Sequence, residues 1–223
     1  GGKGANQAVA IGKLGTQVTM LGKIGNDSFG KDLISSMNNS GVDTKYIETS
    51  ASSTGIAKII VEENGQNRIL VVSGANMDVD RAYIDRHMDI INEADILVTQ
   101  LEIPMDTVEY ALKKAKEAGK TTILNPAPAA PLNDEIIRNS DIIIPNESEL
   151  GIITGMPTNT LEEIEAAAHK LLNMGVKELI VTLGSQGSLH LNKKGSVMHT
   201  AYKVKAVDTT AAGDSFIGGL VRN

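Results

Sequence analysis

An aspartate stands behind a run of small residues in "VDTTAAGDSF" (207–216), a neighbourhood suited to phosphate chemistry. Ala211, Ala212 and Gly213 leave room for a ligand against the backbone, and free N–H groups at a helix start attract an anion. Asp214 beside such a site has the chemistry of a base that takes a proton from a hydroxyl. Asp and Thr are also ordinary helix-start residues, so the stretch reads equally as a capped turn. A second group opens the chain. In "GGKGANQA" (1–8), Gly1, Gly2 and Gly4 permit close backbone approach, while Lys3 and Asn6 offer donors suited to hydroxyl oxygens. The alternative there is a glycine-rich turn capped by Asn6.

Other short stretches carry weaker chemistry. "GNDSFGKD" (25–32) matches GxxxxGK, but Asp32 stands where a P-loop needs Ser or Thr for magnesium. It reads as a turn before a helix. Asn146 and Glu149, three apart in "PNESE", fit either an ion and phosphate site or a helix cap with an acid in its first turn. The histidines His87, His169, His190 and His199 fall in no metal spacing, and Lys113, Lys114 and Lys116 read as the solvated face of a helix.

The elements that must position these residues follow from periodicity. From Asp95 onward, apolar runs at 96–102, 121–128, 141–147 and 177–185 alternate with helical spacing near 104–119, 133–139, 147–153 and 160–174. That alternation predicts βαβ units and a parallel sheet covered on both faces. Residues 1–50 read as helix near 5–14, strand near 17–24 and helix near 27–39, closed by Gly41. The stretch 53–76 breaks the pattern with two β-runs around "EENGQN", a hairpin expected to stand off the core as a flap. Glu102, Asn125, Asn146 and Thr182 all fall at or just beyond predicted strand ends, the rim where open α/β sheets bind ligands.

Composition narrows the class. The 223 residues are 41% hydrophobic with a net charge of −6, enough for one sizeable core and contrary to the basic face of a nucleic-acid binder. No cysteine is present, which excludes disulfides, thiol nucleophiles and Cys-type zinc sites. Neither a membrane span nor a signal peptide is read, so a cytoplasmic protein without membrane or nucleic-acid partners is expected. The chain opens on Gly1 and stops at Asn223 inside helical spacing, and is expected to be part of a longer chain.

"GGKGANQA", with Gly15 and Gly25 downstream, resembles the N-terminal signature of the PfkB carbohydrate kinase family, and "DTTAAGDSFIGGLV" (208–221) resembles its C-terminal signature. "QLE" (100–102), "LNPAPA" (124–129), "PNESE" (145–149) and "TLGSQG" (182–187) lie between them in the family's order, so the resemblance spans the chain. It implies a ribokinase-like three-layer α/β/α sandwich, one domain over 1–223 with a mostly parallel central sheet and a small β lid near 53–76. The implied reaction is ATP-dependent phosphorylation of a sugar's primary hydroxyl, with ribose first and fructose, deoxyribose or a nucleoside as alternatives. A non-catalytic sugar-sensing module on the same fold is the contrasting class, against which Asp214 speaks.

The resemblance also assigns roles. Asp214 would be the base, and the N–H groups of Ala211, Ala212, Gly213 and Asp214 an anion hole. Gly1, Gly2, Lys3, Asn6 and Glu102 would hold the sugar. Asn146, Thr182, Gly184, Ser185, Gly187 and Gly213 would serve ATP. Glu149 would organise Mg²⁺ through water, and Asp208 with the Thr210 carbonyl would hold part of a K⁺ site. A further sugar-binding acid before Gly1, and helices of the adenine and cation sites after Asn223, are expected outside this sequence. A homodimer formed through the lid is the implied assembly.

Overall fold

The computed structural model describes residues 2–61 and 67–222, so Gly1 and the expected "EENGQ" connection lie outside the described residues. The chain divides into two compact units, one of Gly1–Tyr83, Glu102–Pro104 and Ala211–Asn223, the other of Ile84–Leu101 and Met105–Thr210.

In the first unit, α1 (Lys3–Lys13) buries Ala5, Gln7, Ala8 and Ile11, one stripe of its surface at helical spacing. The run expected as one strand near 17–24 is two short ones. β1 (Val18–Thr19) is followed by β2 (Gly22–Gly25), and then by α2 (Ser28–Asn38), β3 (Val42–Asp43) and β4 (Ile47–Ser50). β1 pairs in parallel with β3, whereas β2 pairs in parallel with β4. The break at Met20 and Leu21 is where the chain changes partner, a decision that no local signal encodes. Ala5, Ala8, Met37 and Val42 form the buried centre, with Val9, Val18, Met20, Leu33 and Ile47 packed against it.

The GxxxxGK stretch is the turn before a helix. Asp27 caps α2 by accepting the Gly30 N–H at 2.9 Å, and it also accepts the Thr54 N–H at 2.8 Å and the Thr54 hydroxyl at 2.7 Å. Asp27 therefore brackets the chain as it enters β5 (Ile56–Val61), which pairs antiparallel with β6 (Asn67–Val72) from Ile56↔Val72 to Val61↔Asn67. Successive strand residues face opposite sides. Leu70, Val71 and Val72 are 57%, 65% and 53% exposed, so both faces of the pair are open at that end. The expected hairpin is present, and it stands off the core.

α3 (Arg81–Arg86) and α4 (Met88–Glu93) lead to the second unit's sheet. There β7 (Ile96–Thr99), α5 (Met105–Glu117), β8 (Thr121–Leu124), α6 (Asp134–Asn139) and β9 (Ile142–Ile143) alternate as expected. α7 (Glu147–Thr154), α8 (Leu161–Asn173) and β10 (Glu178–Thr182) continue the pattern. β11 (Ser188–Asn192) and β12 (Gly195–His199) then add an antiparallel hairpin that the sequence reading did not anticipate. The spatial order is β12-β11-β10-β9-β8-β7, with β7 to β10 mutually parallel, so the sheet is mixed but mostly parallel. Thr122, Ile123 and Leu124 are buried in succession, as are Leu179, Ile180 and Val181, which requires cover on both faces. Helices α5 and α8 supply part of it through Val108, Ala111, Leu112 and Ala115 and through Ile164, Ala167, Ala168 and Leu171.

One lysine departs from its expected solvated role. Lys116 donates to the Arg138 carbonyl at 2.6 Å and lies 3.4 Å from the Asp141 carboxylate, so it fastens α5 to the start of β9. The chain ends in α9 (Ala212–Arg222), which belongs to the first unit and packs on α1. Among the described residues, no helix is long and apolar enough to cross a membrane.

Candidate active site

The first unit gathers the N-terminal glycine segment, Glu102 and the turn at Asp214 around α1. Gly2 precedes the helix with φ near +90°, a left-handed conformation that side chains rarely adopt. α1 has no acid in its first turn and no cap from its own Ncap side chain. Glu102 takes that place, its Oε2 accepting the Lys3 N–H at 2.6 Å. A carboxylate at this helix end meets both an unsatisfied donor and the positive end of the helix dipole.

One turn further on, α1 holds the second carboxylate. Asn6 donates its side-chain amide to Oδ2 of Asp214 at 2.9 Å, and Gln7 donates its amide to Oδ1 at 3.0 Å. Asp214 is only 8% exposed and Gln7 only 1%, so this pairing satisfies two buried polar groups at once. Sequence reading missed Gln7. The available signal was a polar residue one turn before Ile11, on the stripe of α1 that is otherwise apolar.

Just before Asp214 the backbone makes a tight turn into α9. Ala211 adopts φ near +58°, unusual for a residue with a side chain and a conformation that clusters at functional sites. Its carbonyl accepts the Ser215 N–H at 2.9 Å, which opens the helix and leaves the N–H groups of Ala212, Gly213 and Asp214 without intrahelical partners. Ala212 and Gly213 are exposed while Asp214 is buried.

Asp214 sits at the third position of its helix, where an acid ordinarily bends back to cap. Glu149 does so in α7, accepting the Asn146 N–H at 2.8 Å while Asn146 accepts the Glu149 N–H at 2.8 Å. Glu163 and Thr160 repeat the arrangement in α8. The carboxylate of Asp214 instead goes to α1, which keeps it off the N-terminal donors of α9.

The second unit carries the other sequence-marked residues. Asn146 and Thr182 form a parallel bridge at the ends of β9 and β10, and the Thr182 N–H donates to the Pro145 carbonyl at 2.9 Å. Gly184 and Ser185 lie in a short 3₁₀ turn that follows at once. Gly187 closes it with φ near +113°, and a methyl there would collide with the backbone of His199 and Ala201. Its lack of a side chain is thus explained by the β11–β12 hairpin passing close by. Asn125 is a structural bracket at the sheet's rim, donating its amide to the Ile144 carbonyl at 3.0 Å. Asp208 accepts the Thr210 N–H at 2.8 Å in an exposed segment, and that backbone donor holds its carboxyl below the usual carboxylate range. Among the described residues, no group of three or more His, Asp or Glu side chains is arranged to hold a metal ion.

The whole chain, residues 1–223, matches the model of the pfkB family carbohydrate kinases. It is 46% identical to a ribokinase of Schizosaccharomyces pombe, over 99% of this chain and 72% of that one. It is 42% identical to a deoxyribokinase of Salmonella typhi, over 98% of this chain and 72% of the relative. Among solved structures, Arabidopsis thaliana ribokinase complexed with ribose and ATP superposes with a TM-score of 0.94 at 35% identity, covering 99% of this chain and 73% of that one. The mostly parallel sheet with its surrounding helices is therefore a ribokinase-like fold, and the chain belongs to the pfkB family of carbohydrate kinases.

Proposed function

We propose that this chain phosphorylates D-ribose at its 5-hydroxyl, with ATP as donor and ribose 5-phosphate as product. The observation that carries the reading is Asp214, buried at the first turn of α9 with both oxygens held by α1, beside the exposed residues Ala212 and Gly213 that open the helix. Phosphoryl transfer to an alcohol needs a positioned hydroxyl, a base for its proton and stabilisation of the transferring charge. Asp214 takes the proton. The N–H groups of Ala211, Ala212, Gly213 and Asp214 stabilise the phosphoryl oxygens at the helix N-terminus. Glu102, fixed by the Lys3 N–H, accepts from sugar hydroxyls, and Gly1, Gly2, Lys3 and Asn6 complete the sugar subsite. The names of the Schizosaccharomyces and Arabidopsis proteins support ribose as the acceptor.

ATP is assigned to Asn146, Thr182, Gly184, Ser185, Gly187 and Gly213. Magnesium suits Glu149 through water, because a hard carboxylate oxygen held in a capping box fits an ion that keeps part of its hydration shell. When bound, that ion would supply charge neutralisation at the phosphates. Potassium would act as an activator at Asp208 and the Thr210 carbonyl, an all-oxygen pair. The exposed apolar residues Ile56, Leu70, Val71 and Val72 on the hairpin fit a homodimer contact as well as a lid. Residues 1–223 act in this reading as one kinase domain.

The deoxyribokinase relative favours a second reading, with 2-deoxyribose as the acceptor. A sugar panel on the full-length protein, read as sugar-dependent ADP release, separates the two. The expected result is the highest kcat/KM with ribose. A higher value with 2-deoxyribose would move the assignment to that sugar. Sugar binding without ADP release would leave a sensing module in place of a kinase.

A further inference from the structure

Two adjacent amides of α1 divide the Asp214 carboxylate between them, and their surroundings differ. The bond from Asn6 to Oδ2 is partly exposed, whereas the bond from Gln7 to Oδ1 is wholly buried. An apolar side chain would suit the buried stripe of α1 at this point, since an amide taken from water must find a partner. Gln7 finds an anionic one, and hydrogen bonds to charged acceptors are the stronger kind. The pull also competes with capping. Glu149 and Glu163 at the third position of their helices turn back on their own N–H groups, while Asp214 at that position is drawn to α1.

We propose that Gln7 is the positioning residue of Asp214: it anchors the buried Oδ1, holds the carboxylate off the N-terminal donors of α9, and makes Oδ2 the oxygen that takes the proton. This inference rests on the reading of Asp214 as the base. In the step it serves, Oδ2 receives the hydroxyl proton as the sugar oxygen bonds to the γ-phosphorus. The bond from that phosphorus to the β–γ bridging oxygen breaks, and its electron pair leaves with ADP. With Gln7 absent, Asn6 alone holds the carboxylate, which then spends part of its time turned toward the donors meant for the phosphoryl group, so base and anion hole are both weakened.

The test is a double-mutant cycle in the full-length protein, pairing Gln7→Met with Asp214→Ala, with kcat, both KM values and thermal midpoint measured for each variant. Methionine keeps the length and approximate volume of glutamine but donates nothing. Gln7→Met should lower kcat about 10- to 100-fold, the effect expected from losing one hydrogen bond to a charged group, with KM for ribose changed less than about threefold. In the Asp214→Ala background the same substitution should change kcat less than about threefold, because Gln7 then has nothing to position. A kcat near wild type in Gln7→Met, or an equal loss in both backgrounds, overturns the inference while leaving the base reading intact. Near-wild-type turnover in Asp214→Ala alone removes the base reading, and this inference with it. Should Gln7→Met fail to fold, Gln7→Asn keeps the amide but withdraws it from reach, and the same outcomes decide.

Discussion

Gly218 of α9 crosses α1 at Ala10 so closely that a methyl group on it would stand 2.6 Å from the Ala10 Cβ and 3.1 Å from the Ala10 carbonyl carbon. This crossing sets the distance between the helix that carries Asp214 and the helix that carries Asn6 and Gln7. Its neighbour Gly219 meets nothing within 4 Å at the same imagined position. Two adjacent glycines of one helix thus have opposite packing.

Gly218→Ala should therefore destabilise the protein by about 1–3 kcal/mol, the usual cost of overpacking, and should lower kcat by moving Asp214 from its amide donors. Gly219→Ala should leave kcat unchanged and raise stability by up to about 1 kcal/mol, as alanine does in a helix interior. Thermal unfolding and steady-state kinetics on the pair check both expectations. Equal behaviour of the two variants would refute the close crossing.

Asp214→Asn should lower kcat about 10²- to 10⁴-fold with the KM values for ribose and ATP little changed. Asparagine nearly keeps the shape but cannot take the hydroxyl proton. A large rise in KM at unchanged kcat would recast Asp214 as a binding residue.

Glu102→Gln should weaken ribose binding about 10- to 100-fold and ATP binding far less, because a charged acceptor becomes a neutral amide. The variant should also unfold at a lower temperature, since the Lys3 N–H at the start of α1 loses its anionic partner. Titration calorimetry with each ligand separates the effects, and equal weakening of both would remove Glu102 from the sugar subsite.

Asp27→Asn tests the bracket at the base of the hairpin. The Thr54 backbone N–H, then the Thr54 hydroxyl and the Gly30 N–H, hold the Asp27 carboxyl below its ordinary range. A carboxyl lowered on folding contributes stability above its unfolded pKa of about 4, and that stability is lost as pH falls through the lower folded value. Wild type should thus be the more stable of the two near neutrality, with the gap narrowing below about pH 4. Thermal midpoints from pH 7 to pH 2 give the measurement. A gap that stays constant with pH would show that the charge of Asp27 contributes nothing.

What the sequence by itself determined lies within a few residues of its cause. The βαβ alternation after Asp95 shows in apolar spacing, and the Asn146–Glu149 pair shows as a capping box because its partners are three residues apart. The family signatures likewise show as short strings, at 1–8 and 208–221. The tertiary structure decided matters in which the partners are distant in sequence. Glu102 reaches Lys3 across 99 residues, and Gln7 reaches Asp214 across 207. The switch of partner between β1 and β2 and the bracketing of Asn125 by the Ile144 carbonyl are of the same kind. A local pattern records what a residue does to its own turn, and Asp214 read that way is a first-turn acid. Only the packing of α9 on α1 through Gly218 brings two amides to its carboxylate and leaves the donors of its own helix open.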